Sequence, residues 1–181
     1  MAGNLFARSI HDLSAAAWFG GSLMGAVGLN GAAAGAKDPA ERTRLSSLGW
    51  GKWAPVQTGA FAAHALAGLA VIAGNKGRIT GQAGATGLTV IKTAVTFLGA
   101  GVTLYAGILG KKVNELSGAG AEGATEPRAG APEELKKAQN QLRILQWTVP
   151  AFAGAVIALG AQHGEMQRPR NVVQGLLKKH T

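Results

Sequence analysis

The stretch LSAAAWFGGSLMGAVGLNGAAAGA, residues 13–36, contains no charged residue. It is long enough to cross the hydrocarbon core of a bilayer, for which about 20 apolar residues suffice. Three further uncharged runs follow it: WAPVQTGAFAAHALAGLAVIAGN at 53–75, a run at 79–110 interrupted only by Lys92, and a run at 144–164. A soluble helix would carry charges on its outer face at nearly every turn. The four runs lack such charges and predict four transmembrane spans.

The sequence therefore predicts an all-α fold, a four-transmembrane-helix bundle that forms a single integral membrane domain over residues 1–181. The predicted spans cover about 12–34, 54–74, 87–110 and 143–163. The Gly-, Ala- and Pro-rich segment 117–132 is predicted to be a flexible loop. The basic tail, 166–181, fits either a short helix on the membrane surface or a frayed terminus. A soluble Ala-rich helical bundle is the alternative, because the mean hydropathy is only +0.14.

Composition excludes several classes of protein. Among the 181 residues are 28 Gly and 35 Ala, and only 15% of the residues are charged, against roughly 25% in soluble domains. The chain has no cysteine, which excludes disulfides, thiolate metal sites and cysteine-based catalysis. It also has no nucleophile elbow, phosphate-binding loop or HExxH motif. No enzymatic activity is predicted.

The net charge of +9 lies mostly in the loops and the tail. The first and third loops hold ten Lys and Arg residues, and the side that carries both termini holds seven. Because Lys and Arg are enriched in cytoplasmic loops, we expect a multi-pass protein of the cell membrane with cytoplasmic first and third loops. Positive charge beside the membrane favours contact with the lipid bilayer and gives no support for nucleic-acid binding. Trp50, Trp53 and Trp147 lie near span ends, where indole rings favour the membrane interface.

Small residues recur at the four-residue spacing that allows helices to approach closely in lipid. They predict tight packing of the spans against one another, and against other membrane subunits or a second copy of the chain. The helix-packing residues are Gly21 and Gly25 in the first span, Ala60 and Gly68 in the second, and Gly99 and Gly107 in the third.

Charged and imidazole groups in the spans are costly unless they are paired or functional. We predict an intramembrane ion pair in which Asp12 or Glu165 neutralises Lys92. His11, His163 and Met166 would offer nitrogen and sulfur ligands for a soft metal, copper among them. Alternatively, these groups simply lie in the interfacial zone and Asp12 caps the first helix.

His64 lies deeper than these groups. Eleven residues separate it from Trp53, which is about 16 Å along a helix, near the middle of the bilayer. Two histidines on facing helices could bind haem, but His64 has no obvious partner at that depth. A hydrogen bond to a neighbouring helix is the expected role.

Three segments resemble the copper-resistance D type of small bacterial membrane domains and their four-helix relatives. They are IHDLSAAAWFGG at 10–21, ERTRLSSLGWGKWAPV at 41–56 and LTVIKTAVTFLGAGV at 88–102, and the resemblance covers about residues 9–110. It implies a four-helix membrane bundle, cytoplasmic first and third loops and a link to copper handling. The matched positions are His11, Trp18, Gly20 and Lys92.

Three functions are consistent with the sequence. Abundant packing motifs without a catalytic one favour a non-enzymatic accessory or structural subunit of a larger membrane complex, with no cofactor. The second hypothesis is metal handling, with copper as the metal, or small-solute transport, using His11, His163 and Met166. The third is a haem-bound redox subunit using His64.

Overall fold

A computed structural model describes residues 2–177, with side chains for 5–175 and 177. Its helices are α1 (Ala2–Met24), a π-helical segment (Gly25–Leu29), α2 (Asn30–Ala34), α3 (Pro39–Gly74), α4 (Lys76–Gly81), α5 (Ala85–Glu115), a 3-10 turn (Ser117–Ala119), α6 (Glu133–Glu165) and α7 (Pro169–Leu177). Within residues 2–177 there is no β-strand, only an isolated bridge between Ala121 and Pro127. The predicted all-α class is confirmed. Residues 178–181 of the predicted tail lie outside the described part.

Three helices, α3, α5 and α6, are long and apolar enough to cross a membrane, with mean hydropathies of 1.5, 1.5 and 1.6 in their most apolar segments. The helix that begins the chain is not among them, so the structure supports three of the four predicted spans. Two features explain the difference. The predicted first span is divided among α1, the π-helical segment and α2, and α1 itself includes the polar residues Arg8, His11 and Asp12.

The first helical path, Ala2–Ala34, runs antiparallel to α3. Each step along the first path is matched by a nearly equal step back along α3, so the two helices stay in contact from one end to the other. The contacts are His11 with His64, Gly21 with Trp53, Gly25 with Trp50 and Asn30 with Ser46.

Helices α5 and α6 form a second antiparallel pair, and α1 packs on α6 while α3 packs on α5, which closes a four-helix bundle. The central core consists of Ala15, Trp18, Val149, Ala153 and Val156. We call the end where α1 and α5 begin and α3 and α6 finish the terminal end, and the opposite one the loop end.

Indole rings fill the space that glycines leave. A Cβ at Gly21 would overlap the ring of Trp53, and one at Gly25 would overlap Trp50. At Gly99, a Cβ would lie 2.6 Å from the Trp18 ring. Two tryptophans that the sequence assigned to the membrane interface therefore pack between helices.

Of the other residues predicted to pack between helices or to lie at the membrane interface, some contact a neighbouring helix and some are exposed. A Cβ at Gly68 would lie 3.4 Å from the His11 ring, Gly107 faces open space within residues 2–177, and Ala60 is half-buried. Trp147 is exposed.

Both α3 and α6 start well before their predicted spans. Asp38 caps α3 by accepting a hydrogen bond from the Ala40 amide at 2.8 Å, and Pro39 occupies the first turn. Proline is favoured there because its missing N–H would be unpaired anyway. The α6 helix begins at Glu133 and continues without interruption into the fourth predicted span.

The segment 117–132 is folded against the loop end, although its composition predicts a flexible loop. The Ala121 amide donates to the Pro39 carbonyl at 3.0 Å, and the Thr43 hydroxyl donates to the Ser117 carbonyl at 2.9 Å. Gly120 has a φ of 70°, and a Cβ there would lie 2.9 Å from Pro39. Partners distant in the sequence hold the segment, so its composition could not predict its conformation.

Candidate functional site at the terminal end of the bundle

Basic and imidazole side chains from five helices meet at the terminal end of the bundle. We call this set the terminal cluster. Residues from α1, α3, α5 and α6 converge there because those helices are antiparallel neighbours, and α4 adds one more from the turn between α3 and α5. The members are Arg8, His11, His64, Arg78, Lys92 and His163.

His64 has a direct partner, which the sequence did not identify. Its ring stacks on that of His11, with the centroids 3.9 Å apart and the planes inclined by 30°. The Nδ1 atom of His64 also hydrogen-bonds the backbone carbonyl of His11 at 3.0 Å. His64 lies ten residues before the end of α3, about 15 Å along the helix axis.

The stacked arrangement bears on the haem hypothesis. Axial haem ligation requires two imidazole nitrogens to point at one iron from opposite sides. In this pair the ring faces meet, so the two imidazoles do not point at one iron from opposite sides. Hydrogen bonds of the two Nδ1 atoms, to the Asp12 carboxylate at 3.1 Å and to the His11 carbonyl, hold the rings in place. The geometry is that of two histidines packed between helices.

Lys92 extends from α5 toward α6, and its amine lies 3.1 Å from where a Cβ on Gly160 would sit. The structure does not form the predicted ion pair. Asp12 pairs with His11 at 3.1 Å, and Glu165 pairs with Arg168 at 2.9 Å. Within residues 2–177, Lys92 has no carboxylate within ion-pair distance.

The three residues predicted as metal ligands have different surroundings. His11 packs on His64, and a ring nitrogen of His163 hydrogen-bonds the Leu88 backbone. The carbonyl of Met166 accepts a hydrogen bond from the Gln82 amide at 2.8 Å. In the described part of the chain, no three His, Asp or Glu side chains are grouped so as to hold a metal ion.

Arg78 is a member of the cluster that sequence reasoning missed. One terminal nitrogen donates to the Gln82 amide oxygen at 3.2 Å, while its Nε is buried and has no hydrogen-bond partner within residues 2–177. Burial, with Arg8 nearby, lowers the pKa of the Arg78 guanidinium. The only sequence signal was its basic character in a short turn between two apolar runs.

Unpartnered nitrogens and positive charge are the chemical features that distinguish the cluster. Like Arg78 Nε, the Nδ1 atom of His163 is buried without a hydrogen-bond partner in the described residues. Arg78 and Lys92 both act electrostatically on His163. Asp12 acts electrostatically on Lys92 from beyond ion-pair distance, whereas Arg78, Lys92 and Arg8 all act on His163. Positive charge therefore predominates around His163, which suits the binding of an anion.

A shallow cleft of about 230 Å³ lies on the outer side of the same end, where α7 packs on the α4–α5 turn. The buried Gln82 joins these elements through the carbonyls of Met166 and Asn171, at 2.8 and 3.4 Å. The cleft is lined by neutral amides, glycine and alanine together with Glu165 and Met166. It therefore lacks the positive charge of the terminal cluster.

The loop end carries a second polar group of residues, centred on Asn30, that the sequence also missed. The side-chain oxygen of Asn30 accepts from the Ser46 hydroxyl and the Trp50 indole, both at 2.9 Å. Its amide nitrogen donates to Gln146 at 3.0 Å. The π-helical segment Gly25–Leu29 directly precedes Asn30.

Comparison with known proteins assigns no relative to this arrangement. The predicted resemblance to copper-resistance D proteins therefore stays a prediction. No protein family, no curated protein sequence and no solved structure matches this chain.

Proposed function

We propose that this protein is a non-enzymatic, four-span integral membrane protein that acts as an accessory or structural subunit of a larger membrane complex. The observation that carries the proposal is the distribution of large apolar side chains. Phe97, Leu66 and Ile144 are 74%, 70% and 69% exposed. They lie on the three helices that are apolar enough to span a membrane. Side chains of this kind face lipid or protein in an integral membrane protein.

The fourth span is supported by the pairing of the first helical path with α3. Their contacts extend from His11 to Asn30, nineteen residues or about 28 Å along a helix. This is close to the roughly 30 Å thickness of a hydrocarbon core. A helix that follows α3 over this length crosses the same layer as α3.

The accessory role is supported by the way the interior is filled. Indole rings and glycines close the space between helices, whereas the exposed face of α5 retains Gly107 between the exposed Leu104 and Ile108. Glycine on an outward face lets a partner helix approach closely. The partner would be a membrane subunit or another copy of this chain.

Two measurements test this proposal. Extraction of native membranes with alkaline carbonate should leave the protein in the membrane fraction. After crosslinking in native membranes, isolation in mild detergent and mass spectrometry should identify a reproducible partner. The Gly107→Leu variant should lose that partner while folding normally, because a Cβ at Gly107 meets no atom within 4 Å.

Gly101→Leu provides the matched control, since Gly101 also faces open space on α5 but points about 120° or more away around the helix from Gly107. It should retain the partner. A protein released by carbonate would contradict the membrane assignment. A strict monomer with no crosslinked partner would contradict the accessory role.

A further inference from the structure

Arg78 and Lys92 of the terminal cluster lie near His163, and the three side chains come from three different helices. Arg78 projects from α4, Lys92 from α5 and His163 from α6, and Arg8 on α1 adds positive charge. Lys92 lies beside Gly160, which is three residues before His163 and hence on the same face of α6, about 5 Å further along. The groups surround one region at the terminal end.

This region has buried side-chain nitrogens without hydrogen-bond partners. Arg78 Nε and His163 Nδ1 are buried and have no hydrogen-bond partner within residues 2–177. Unpartnered buried polar atoms are uncommon, and leaving one unpaired costs about 1–3 kcal/mol. Arg78 Nε is a donor that lacks an acceptor, and His163 Nδ1 becomes a second donor when the ring is protonated, which a bound anion favours. Lys92 and Arg8 both act electrostatically on His163, so this region suits an acceptor that carries negative charge.

The protein's own carboxylates do not supply that acceptor. The side chain of Asp12 pairs with His11 and is 75% exposed. Glu165 pairs with Arg168 at the surface. Positive charge is therefore in excess around His163.

The cluster also lies where a bilayer carries phosphate. Arg78 precedes α5, and Lys92 is seven residues into that helix, about 10 Å along its axis. If the bundle spans the membrane, this range extends from the headgroup layer into the outer edge of the hydrocarbon core. A long lysine side chain can reach toward the headgroups from that depth.

We propose that the terminal cluster binds a phosphate group through Arg78, Lys92 and His163, with Arg8 contributing charge. A phosphate presents several acceptor oxygens in a tetrahedral arrangement, so it accepts from donors that approach from three helices. The phosphate belongs either to an anionic lipid or to a free phosphate ion. The lipid source rests on the proposed membrane function, whereas the free ion does not.

The experiment uses the full chain purified in mild detergent and stripped of lipid. Phosphatidylglycerol is added against phosphatidylcholine, and inorganic phosphate against chloride at equal ionic strength. Native mass spectrometry measures lipid retention, and the shift in Tm measures stabilisation by each addition. Phosphatidylglycerol retention without an effect of inorganic phosphate identifies the lipid source, and stabilisation by inorganic phosphate identifies the free ion.

Arg78→Gln and Lys92→Gln should weaken binding by about tenfold or more, as expected for the loss of a charge-assisted hydrogen bond. Lys92→Arg should retain binding. Lys76→Gln is the matched control, because Lys76 is an exposed cation on the same short helix as Arg78. If Lys92→Gln does not fold, Arg78→Gln against Lys76→Gln decides the test.

Wild-type protein that binds phosphatidylglycerol no better than phosphatidylcholine, and phosphate no better than chloride, would overturn the inference. Equal binding by Arg78→Gln and Lys76→Gln would also overturn it. Carbonate extraction keeps the two proposals separate. A protein that stays in the membrane fraction but binds no phosphate would contradict the phosphate site alone. A protein that is extracted by carbonate yet binds phosphate would contradict the membrane function alone.

Discussion

At the loop end, Asn30 joins Ser46, Trp50 and Gln146 through three hydrogen bonds between neutral groups. At the terminal end, Arg78 and His163 each keep a buried side-chain nitrogen without a partner within the described residues. Both ends bury polar side chains between helices. The Asn30 group is satisfied internally, although Gln139 Oε1 at the same end is buried without a partner in the described residues. The terminal end differs in that its unpartnered nitrogens lie among positive charges.

The contrast separates a structural role from a binding role. Neutral polar groups that are fully hydrogen-bonded stabilise a fold and fix its register. Unpaired buried charge costs stability, and it persists where a ligand or a function requires it. The comparison therefore predicts that similar substitutions have opposite effects at the two ends.

Asn30→Ala should cause the largest change, because it removes three hydrogen bonds at once and leaves buried partners unsatisfied. We expect the free energy of unfolding in detergent to fall by about 3 kcal/mol. Denaturant titration followed by circular dichroism measures it. Asn140→Ala is the control, since Asn140 is exposed on α6, and it should change stability by less than about 0.5 kcal/mol. Equal effects of the two substitutions would show that the hydrogen bonds of Asn30 do not stabilise the loop end.

Gly99→Ala tests the helix packing in the middle of the bundle, between the two ends. The new methyl group would lie 2.6 Å from the Trp18 ring and 2.8 Å from the Phe152 Cβ, and overpacking of this kind costs about 1–3 kcal/mol. We expect a loss of about 2 kcal/mol, measured by the same titration. Gly101→Ala, which meets no atom within 4 Å, should be neutral or stabilising. A neutral Gly99→Ala would show that the Trp18 contact is loose.

Lys92→Met should act in the opposite direction from Asn30→Ala. It replaces a half-buried cation that has no carboxylate partner in the described residues with an apolar side chain of similar length. In lipid- and phosphate-free detergent, stability should rise by about 1 kcal/mol. Added phosphatidylglycerol should stabilise the wild type and reverse the order. A variant less stable than wild type under both conditions would show that Lys92 is structural.

The smallest effect concerns an exposed pair near the loop end. Lys112 and Glu134 lie 2.6 Å apart, and the bond lowers the pKa of Glu134 below its usual 4.5 and raises that of Lys112. The stabilisation by Glu134 is therefore present above about pH 4.5 and is lost as the pH falls through its lowered pKa. Thermal unfolding of wild type and Glu134→Gln between pH 7 and 3 should converge at the acid end.

Lys112→Met should remove the same pH dependence, because Lys112 is the first cause of the shift. Exposed pairs contribute little, so the expected difference is small. A Glu134→Gln profile parallel to wild type over the whole range would show that the pair does not contribute.

The helices themselves were largely predictable. Length and hydropathy of an uncharged run are local properties, and they located α3, α5 and α6. The same reasoning does not reach the first turns of α6, which begins at Glu133, before its predicted span. It underestimated the length of α3, because the first turns of that helix, from Pro39, are polar and depend on the Asp38 cap.

The candidate site was only partly predictable. The rarity of ionisable groups in apolar runs singled out His11, Lys92 and His163, but their partners did not follow from spacing. The predicted ion pair is absent from residues 2–177, because Asp12 reaches the adjacent His11 and Glu165 reaches Arg168. Arg78 was missed since a basic residue in a turn has no distinctive pattern.

The sequence by itself determined the helical class, the apolar character of the long helices and the position of most charges outside them. Each follows from residues close together along the chain. Only the tertiary structure decided that His64 stacks on His11, that Trp53 fills the space at Gly21 and that Arg78 and Lys92 come close enough to His163 to act on it electrostatically. These arrangements depend on the rotation and register of helices far apart in sequence, which packing between helices sets.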